Sequence, residues 1–329
     1  MSQSVGEKLR EAFEKFPYET HQLFLRNYIP IAVDPFSLQD SQPSESFSEE
    51  PSEGEIKLTE DLYDKNTFIN LLFSRKSRTF VLKKDGFFRR VFGPGRGFLS
   101  KIVEIRGEVT LMDDFRLNGS GLASELEVFY VRGGSRLRHL RKVEGSGNLL
   151  YNSYYFIEEG AAVEAYSLTT GKMYIRDRIL SFNAGYMSSF TAKAGYDLDE
   201  SSSVDSEVVM KLMAPRSSAD AYQRSLVRRY SKVIHKGLVV NTREAPEGRS
   251  FIEQKALLLS KEGSAQNIPG MELEINDIYA KHAAAVFPID ENQLFYLMSR
   301  GLSRESSIEL IARNMLRDIR EVLGLENEP

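Results

Sequence analysis

A mainly β core between helical ends is the fold class this sequence predicts, and three observations carry the prediction. From about Ser100 to Phe287, short segments alternate apolar and polar residues with a period of two, as in Leu126, Val128 and Tyr130. No amphipathic helical pattern interrupts them. Apolar spacings of three and four, the mark of a helix with one buried stripe, return only towards the two ends.

Taken in order, Leu9, Phe13, Phe16 and Leu23 stand among charged residues at helical spacing and predict a short helical element over residues 1–35. Ser37 to Glu55 holds six Ser, six acidic residues, two Pro and no Lys or Arg. Such a stretch buries too little apolar surface to offset the entropy of ordering, so residues 36–57 are expected to form a mobile acidic linker. Residues 58–97 read as a helix carrying Leu62, Ile69, Leu72 and Phe73, then a hairpin from Thr79 to Phe92 around Asp85-Gly86. The β core follows over 98–287, with Met271, Leu273 and Ile275 facing away from Glu272, Glu274 and Asn276. Periodicity alone leaves a sandwich, a barrel and a coil of stacked parallel strands open, and no clean internal repeat decides among them. Residues 288–329 turn helical: Asp290 with Gln293 is a capping-box-like start, Gly301 an end, and Ser303 a second start. That second helix lines up Ile308, Ile311, Ala312, Met315, Leu316, Ile319, Val322 and Leu323 on one apolar face.

Composition excludes several chemistries. The 329 residues are 41% hydrophobic and 27% charged with a net charge of −4, a globular composition with no general attraction for nucleic acid or anionic lipid. There is no Cys, which removes disulfides, thiolate-held clusters and thiol nucleophiles, and only four His are present. Without a basic start, an apolar signal region or a long apolar run, the chain is expected to be cytoplasmic, with no membrane partner.

The candidate sites are individually weak. FGPGRGF (Phe92–Phe98) lacks the Lys-Ser/Thr ending of a phosphate loop and reads as a turn. The basic run Arg132–Lys142 reads as a strand with a solvated charged face, without the interleaved aromatic residues of a nucleic-acid platform. No nucleophile elbow or triad is present. The acids of Asp113–Phe115 and Asp197–Glu200 read as turn residues, although clustered carboxylates would also suit a β-helical carbohydrate-active hydrolase or lyase. His235 and His282 stand 47 residues apart, without metal-motif spacing.

One stretch is more specific. Pro269, Leu273, Glu274, Ile275, Asp277, His282, Ala284, Ile289, Asp290, Leu294, Phe295, Tyr296, Ser299, Arg300 and Gly301 fall in the order of the C-terminal signature of the SufB/SufD family of iron–sulfur assembly proteins, which this chain resembles. HKGLVV (His235–Val240) and QKALLLS (Gln254–Ser260) resemble the preceding coils, so the likeness covers about residues 230–325. It implies a right-handed parallel β-helix core flanked by α-helical N- and C-terminal elements. It also implies a non-catalytic scaffold that pairs with a SufB-like paralogue or a second copy of itself, and docks a SufC-like ABC-type ATPase on its C-terminal helices. Phe295, Tyr296, Arg300, Ile308, Met315 and Leu316 are the expected docking residues. His282 falls at a family position near the pairing interface, where His282 and Glu274 are the candidate metal ligands. Ala280 stands where the family often has Cys and Ala283 where Gly is usual, which favours a SufD-like, Cys-free subunit. Such a chain binds no cofactor tightly and meets iron or a nascent cluster only transiently at the subunit interface.

Overall fold

The computed structural model describes residues 14, 17, 19, 21–24, 27–31, 33–56, 64–74, 77–199 and 201–326. Its centre is a parallel β-solenoid of about seven turns, so the β-helix is the architecture that periodicity had left open. The coil has two faces. Face one stacks β4 (Gly86–Phe92), β6 (Glu108–Leu117), β10 (Ser189–Leu198), β12 (Ser218–Val227), β14 (Gly248–Leu258) and β16 (Ile278–Pro288). Face two stacks β3 (Ser77–Leu82), β5 (Arg96–Ile105), β7 (Leu122–Val131), β11 (Ser203–Leu212), β13 (Lys232–Asn241) and β15 (Ser264–Leu273). In mid-coil, β8 (Arg136–Ile157) and β9 (Ala162–Asn183) run round the corner and belong to both faces. Their bend is made by Gly145 (φ +122°) and Gly171 (φ +110°), left-handed positions where a Cβ would strike the backbone of the coil below.

Pairing is parallel and in register, so each inward residue stacks on its equivalent one coil earlier. Leu122 lies beside Asn148, 26 residues on, and Ser218 beside Arg249, 31 residues on. This drift in coil length is why no repeat is legible. At another corner Met187, Arg216 and Glu247 all take φ near +56°, and each donates its N–H to a carbonyl of the next coil (Pro215, Pro246 and Asp277, 2.7–3.2 Å).

Where one side of a strand faces solvent, alternation buries every second residue, as in Val109, Leu111, Asp113, Phe115 and Leu117 of β6. Inside the coil these rows make two apolar stacks, one around Leu111, Phe129, Val208 and Ile252, the other around Phe115, Tyr151, Ile175 and Val233. Between them runs a polar seam: Arg141 donates to Asp177 (2.6 Å), Tyr196 to Asp177 (2.7 Å) and Gln254 to Gln223 (2.8 Å), and His235 is bonded to Asn267 (3.0 Å).

Outside the coil, α1 (Lys65–Phe73) is capped by Asp64, whose carboxylate accepts from the Thr67 N–H (2.7 Å), and packs Ile69 against Leu122 and Leu150. At the other end α2 (Glu291–Ser299) starts at Asp290 and stops before Gly301 (φ +95°), and Ser303 caps α3 (Arg304–Met315). A turn at Leu316 separates α3 from α4 (Arg317–Val322), so the expected second helix is two. Its apolar stripe packs on the outside of face one, where Ala312, Leu316, Ile319 and Leu323 meet Leu140, Leu168, Leu226 and Leu257.

Several sequence expectations are corrected. Residues 36–57 are not a free linker throughout: β1 (Ser44–Phe47) and β2 (Ser52–Gly54) add antiparallel to β4 and β3, covering the edges of the first coil. Phe47 packs on Phe80 and Phe88, and Arg78 pairs with Glu45 at 2.6 Å, so a few residues anchor an otherwise polar stretch. The segment Thr79–Phe92 is no hairpin. Its two strands pair parallel to β5 and β6, and Asp85 serves a solenoid corner by accepting from the Thr110 N–H (2.7 Å). The β core therefore runs from Ser77 to Pro288 rather than over 98–287. Asp113 is a mid-strand interior residue, not a turn acid. Of the expected N-terminal helix, Leu9, Phe13 and Phe16 lie outside the described residues, and Leu23 is in a turn.

Gly145→Ala is expected to destabilise the protein by about 3 kcal/mol, combining backbone strain with a clash against the Leu117 carbonyl. Gly134→Ala, also left-handed (φ +71°) but facing open space, should cost only about 1 kcal/mol in the same urea titration.

Candidate functional site

The last coil is built differently from those before it. Parallel register carries the inward row Ser250, Ile252, Gln254 and Ala256 of β14 onto Ala280, His282, Ala284 and Val286 of β16. The first row is buried, whereas Ala280 is half-buried and His282, Ala284 and Val286 are exposed, because among the described residues no strand pairs with the free edges of β15 and β16. An interior row thus meets solvent at the end of the solenoid. Leu273 (47% exposed) and Val286 (41%) contribute apolar surface there, with Tyr279 and Phe287 beside them. Such a surface, with unpaired strand edges, is a template for association.

His282 lies in this row, and Glu274 follows the end of β15, its N–H donating to the Asn241 carbonyl (2.9 Å). Both are exposed. Neither belongs to a group of three or more metal-ligating side chains among the described residues. The grouping that does occur is elsewhere: Asp113, Glu127 and His139, fully buried, with ligand atoms within 4.8 Å of one another. Its carboxylates already pair with two buried cations. Arg90 pairs with Asp113 and with Glu125 (2.9 Å), and Lys101 pairs with Glu127 and with Glu125 (2.8 Å). A divalent ion there would face two buried cations. Burial opposes ionisation of Asp113, but Arg90 and Lys101 outweigh it and hold that carboxyl well below its usual range. Burial, reinforced by Glu127 and Asp113, pushes Glu125 up to about 7 against the two cations. Arg90, Lys101 and Glu125 also line a cavity of about 410 Å³ beside Glu45, Phe73 and Arg96, at the mouth of the first coils.

His235 sits deeper, accepting from or donating to Ser225 (2.7 Å) and Asn267 (3.0 Å), and burial lowers its pKa to about 4, only partly opposed by the Asn267 bond. It is a neutral structural histidine. The basic run divides as alternation requires: Arg136 and Arg138 are exposed, whereas Arg141 is inside, over the Tyr151 ring at 3.9 Å. Of the two acid runs, Asp197 pairs with Arg228 (3.0 Å) on the outside of face one, and Glu200 lies outside the described residues.

On the C-terminal helices Phe295 (74% exposed) and Tyr296 (56%) project from α2, with the Arg300 guanidinium 5.1 Å from the Tyr296 ring. Met298, Leu302 and Leu310 are also exposed, and Ile308 and Met315 are partly buried. Leu316 is not available to a partner. It is fully buried between α4 and the solenoid, because the stripe on which it lies is the one that anchors the helices. The buried ion network escaped sequence reasoning, although Lys101, Asp113, Glu125 and Glu127 occupy inward positions of alternating strands, the one signal that could have revealed it.

Fold and site together define a β-solenoid protein with one covered end, one open end and a helical extension beside the open one. The family model for the SUF system FeS cluster assembly SufBD core domain matches residues 101–315, and the chain belongs to that family. It is similar to iron–sulfur cluster assembly SufBD family proteins of Staphylococcus haemolyticus, Staphylococcus epidermidis and Staphylococcus aureus, each 36% identical over 113 residues. That stretch is 34% of this chain and 24% of each relative, so the alignment spans about a quarter of their length.

Leu316→Asp is expected to destabilise the whole fold by about 4 kcal/mol, read as a lowered urea midpoint, by placing an unpaired charge among Leu140, Leu168 and Leu226. The His235 pKa is lower folded than unfolded, so the stability it contributes is complete above about pH 6.5 and falls as pH drops towards 4, by up to about 3 kcal/mol. Urea titrations at pH 7 and pH 5 should show that loss, and His235→Gln should flatten it.

Proposed function

We propose that this chain is a non-catalytic scaffold subunit of a SUF-type iron–sulfur cluster assembly complex in the cytoplasm. The observation that carries the reading is the open last coil, an interior row of a β-solenoid left exposed in a member of the SufBD family. A second solenoid end, from a SufB-like paralogue or another copy of this chain, is the complementary occupant: it would pair the free edges of β15 and β16 and bury Leu273, Val286 and Phe287. His282 and Glu274 would then stand at or beside the junction. They offer nitrogen and oxygen donors to iron or a nascent cluster in transit, and with no Cys the chain supplies no thiolate.

Phe295, Tyr296 and Arg300 are the proposed docking surface for a SufC-like ABC-type ATPase, with Ile308 and Met315 at its margin. An aromatic pair projecting from a short helix beside an arginine has the composition of an interface hot spot. Ion pairs join these helices to the solenoid: Arg228 holds Glu309 (2.8 Å) and Arg224 holds Asp318 (2.6 Å). Movement of a docked ATPase would therefore reach face one through charged contacts.

Co-expression of the tagged chain with its host's ABC-type assembly ATPase, followed by gel filtration and light scattering, tests both surfaces. The expected species contains two ATPases and two scaffolds. Phe295→Asp should release the ATPase, and Val286→Arg should split the scaffold pair, each with an unchanged melting temperature because both side chains are exposed. A monomer that ignores the ATPase would overturn the reading.

A further inference from the structure

The outer side of face two is covered by the chain's own N-terminal segment, and the cover carries an unbalanced charge. Tyr174 donates its hydroxyl to the Ile29 carbonyl (2.7 Å), and the Ile29 N–H donates to Asp205 (2.8 Å). Phe24 is fully buried. Towards the last coil, His21 is bonded to Glu272 (2.8 Å), Gln266 donates to Asn27 (3.4 Å) and Leu23 packs against Gly270. These contacts reach β9, β11 and β15.

At the centre, Glu19 is buried among charged groups from every element around it. Arg176 of β9 contacts it at 2.9 and 3.2 Å, and Lys236 of β13 pairs with it. Asp205 and Glu207 of β11 share those cations, Arg178 holds Glu207 at 2.8 Å, and Asp64 at the start of α1 reaches Arg176 at 3.5 Å. Among the described residues, the cations Arg176, Arg178 and Lys236 are already balanced by Asp64, Asp205 and Glu207. Glu19 is a fourth carboxyl for three cations, in a place that water does not reach. Glu19 and Glu207 share Arg176 and Lys236, so two buried carboxyls compete for the same cations, and a proton on one of them relieves their repulsion.

We propose that Glu19, with residues 21–24 and 27–31, forms a proton-linked strap, which docks with Glu19 as a neutral acid and releases when that proton is lost. Burial and then the Glu207 charge raise the docked Glu19 to about 9, against the pull of Arg176 and Lys236, while Glu207 is held well below its usual range. Undocked, Glu19 has the ordinary value near 4.5. Between those values the docked state holds one proton more, so docking weakens as pH rises, by at most about tenfold per unit. Because the strap grips Gln266, Gly270 and Glu272, its state governs the outer side of the last coil.

The absence of Cys makes the test direct. Gln22→Cys, exposed in the strap's turn, takes a nitroxide label, and Val81→Cys on exposed surface of the first coil is the control. Electron paramagnetic resonance at pH 6 and 8.5 should show the immobile Gln22→Cys component decline at the higher pH while the control spectrum stays constant. Adding Glu19→Gln, neutral at every pH, should keep the strap docked at both. An unchanged Gln22→Cys spectrum, release in the Glu19→Gln background in step with the parent, or a control that loosens as well would each overturn the proposal.

Discussion

In-register parallel stacking is the constraint on which everything else in this molecule depends. Each inward residue lies on its counterpart one coil away, so the interior is a set of rows, and a row's chemistry must be tolerable from end to end. Apolar rows meet this by dispersion and burial. The polar seam meets it differently. Arg90 and Lys101 pair with Asp113, Glu125 and Glu127 within neighbouring coils, and further along the charges give way to Arg141–Asp177 and then to Tyr196, Gln223, Gln254 and His235. Buried ion pairs of this kind bring little net stability compared with apolar packing, but losing one partner is costly. The seam therefore fixes the register of the coils around it more than it strengthens them.

Stacking also explains the dressing on the outside. A solenoid buries its inner rows without help, so its outward residues are free to hold other elements. Face one uses them for the C-terminal helices, through Leu140, Leu168, Leu226 and Leu257 together with Arg224 and Arg228. Face two uses them for α1 and the N-terminal segment, through Tyr154, Arg176, Arg178 and Lys236. Both attachments mix apolar contact with buried or half-buried charge.

Much of this was legible in the residues, and what was not has physical causes. Period-two alternation located the strands, and Asp290, Gly301 and Ser303 marked the C-terminal helix ends, because these are local signals. Alternation says which side a residue faces but not which strand lies beside it. Asp85-Gly86 was accordingly misread as a hairpin, when the true partners of β3 and β4 lie more than twenty residues further on. The stripe from Ile308 to Leu323 was legible as a stripe, but whether Leu316 met solvent or solenoid depended on Leu140 and Leu226, distant in sequence. His282 was found through motif order alone. Its exposure follows from β16 being the last strand to pair on face one, which no local pattern encodes.

The two ends of the solenoid differ, and that difference sets a limit on size. β1 and β2 cross the first coil antiparallel and are only four and three residues long, which leaves little edge for another chain to extend. Among the described residues no strand covers the last coil in this way. A rod that is blunted at one end and adhesive at the other cannot grow by repeated addition. Once two adhesive ends meet, both are consumed and the outer ends are inert. Under the proposed pairing, a fold whose internal geometry is that of an open-ended fibre would stop at a closed pair, without any residue devoted to counting.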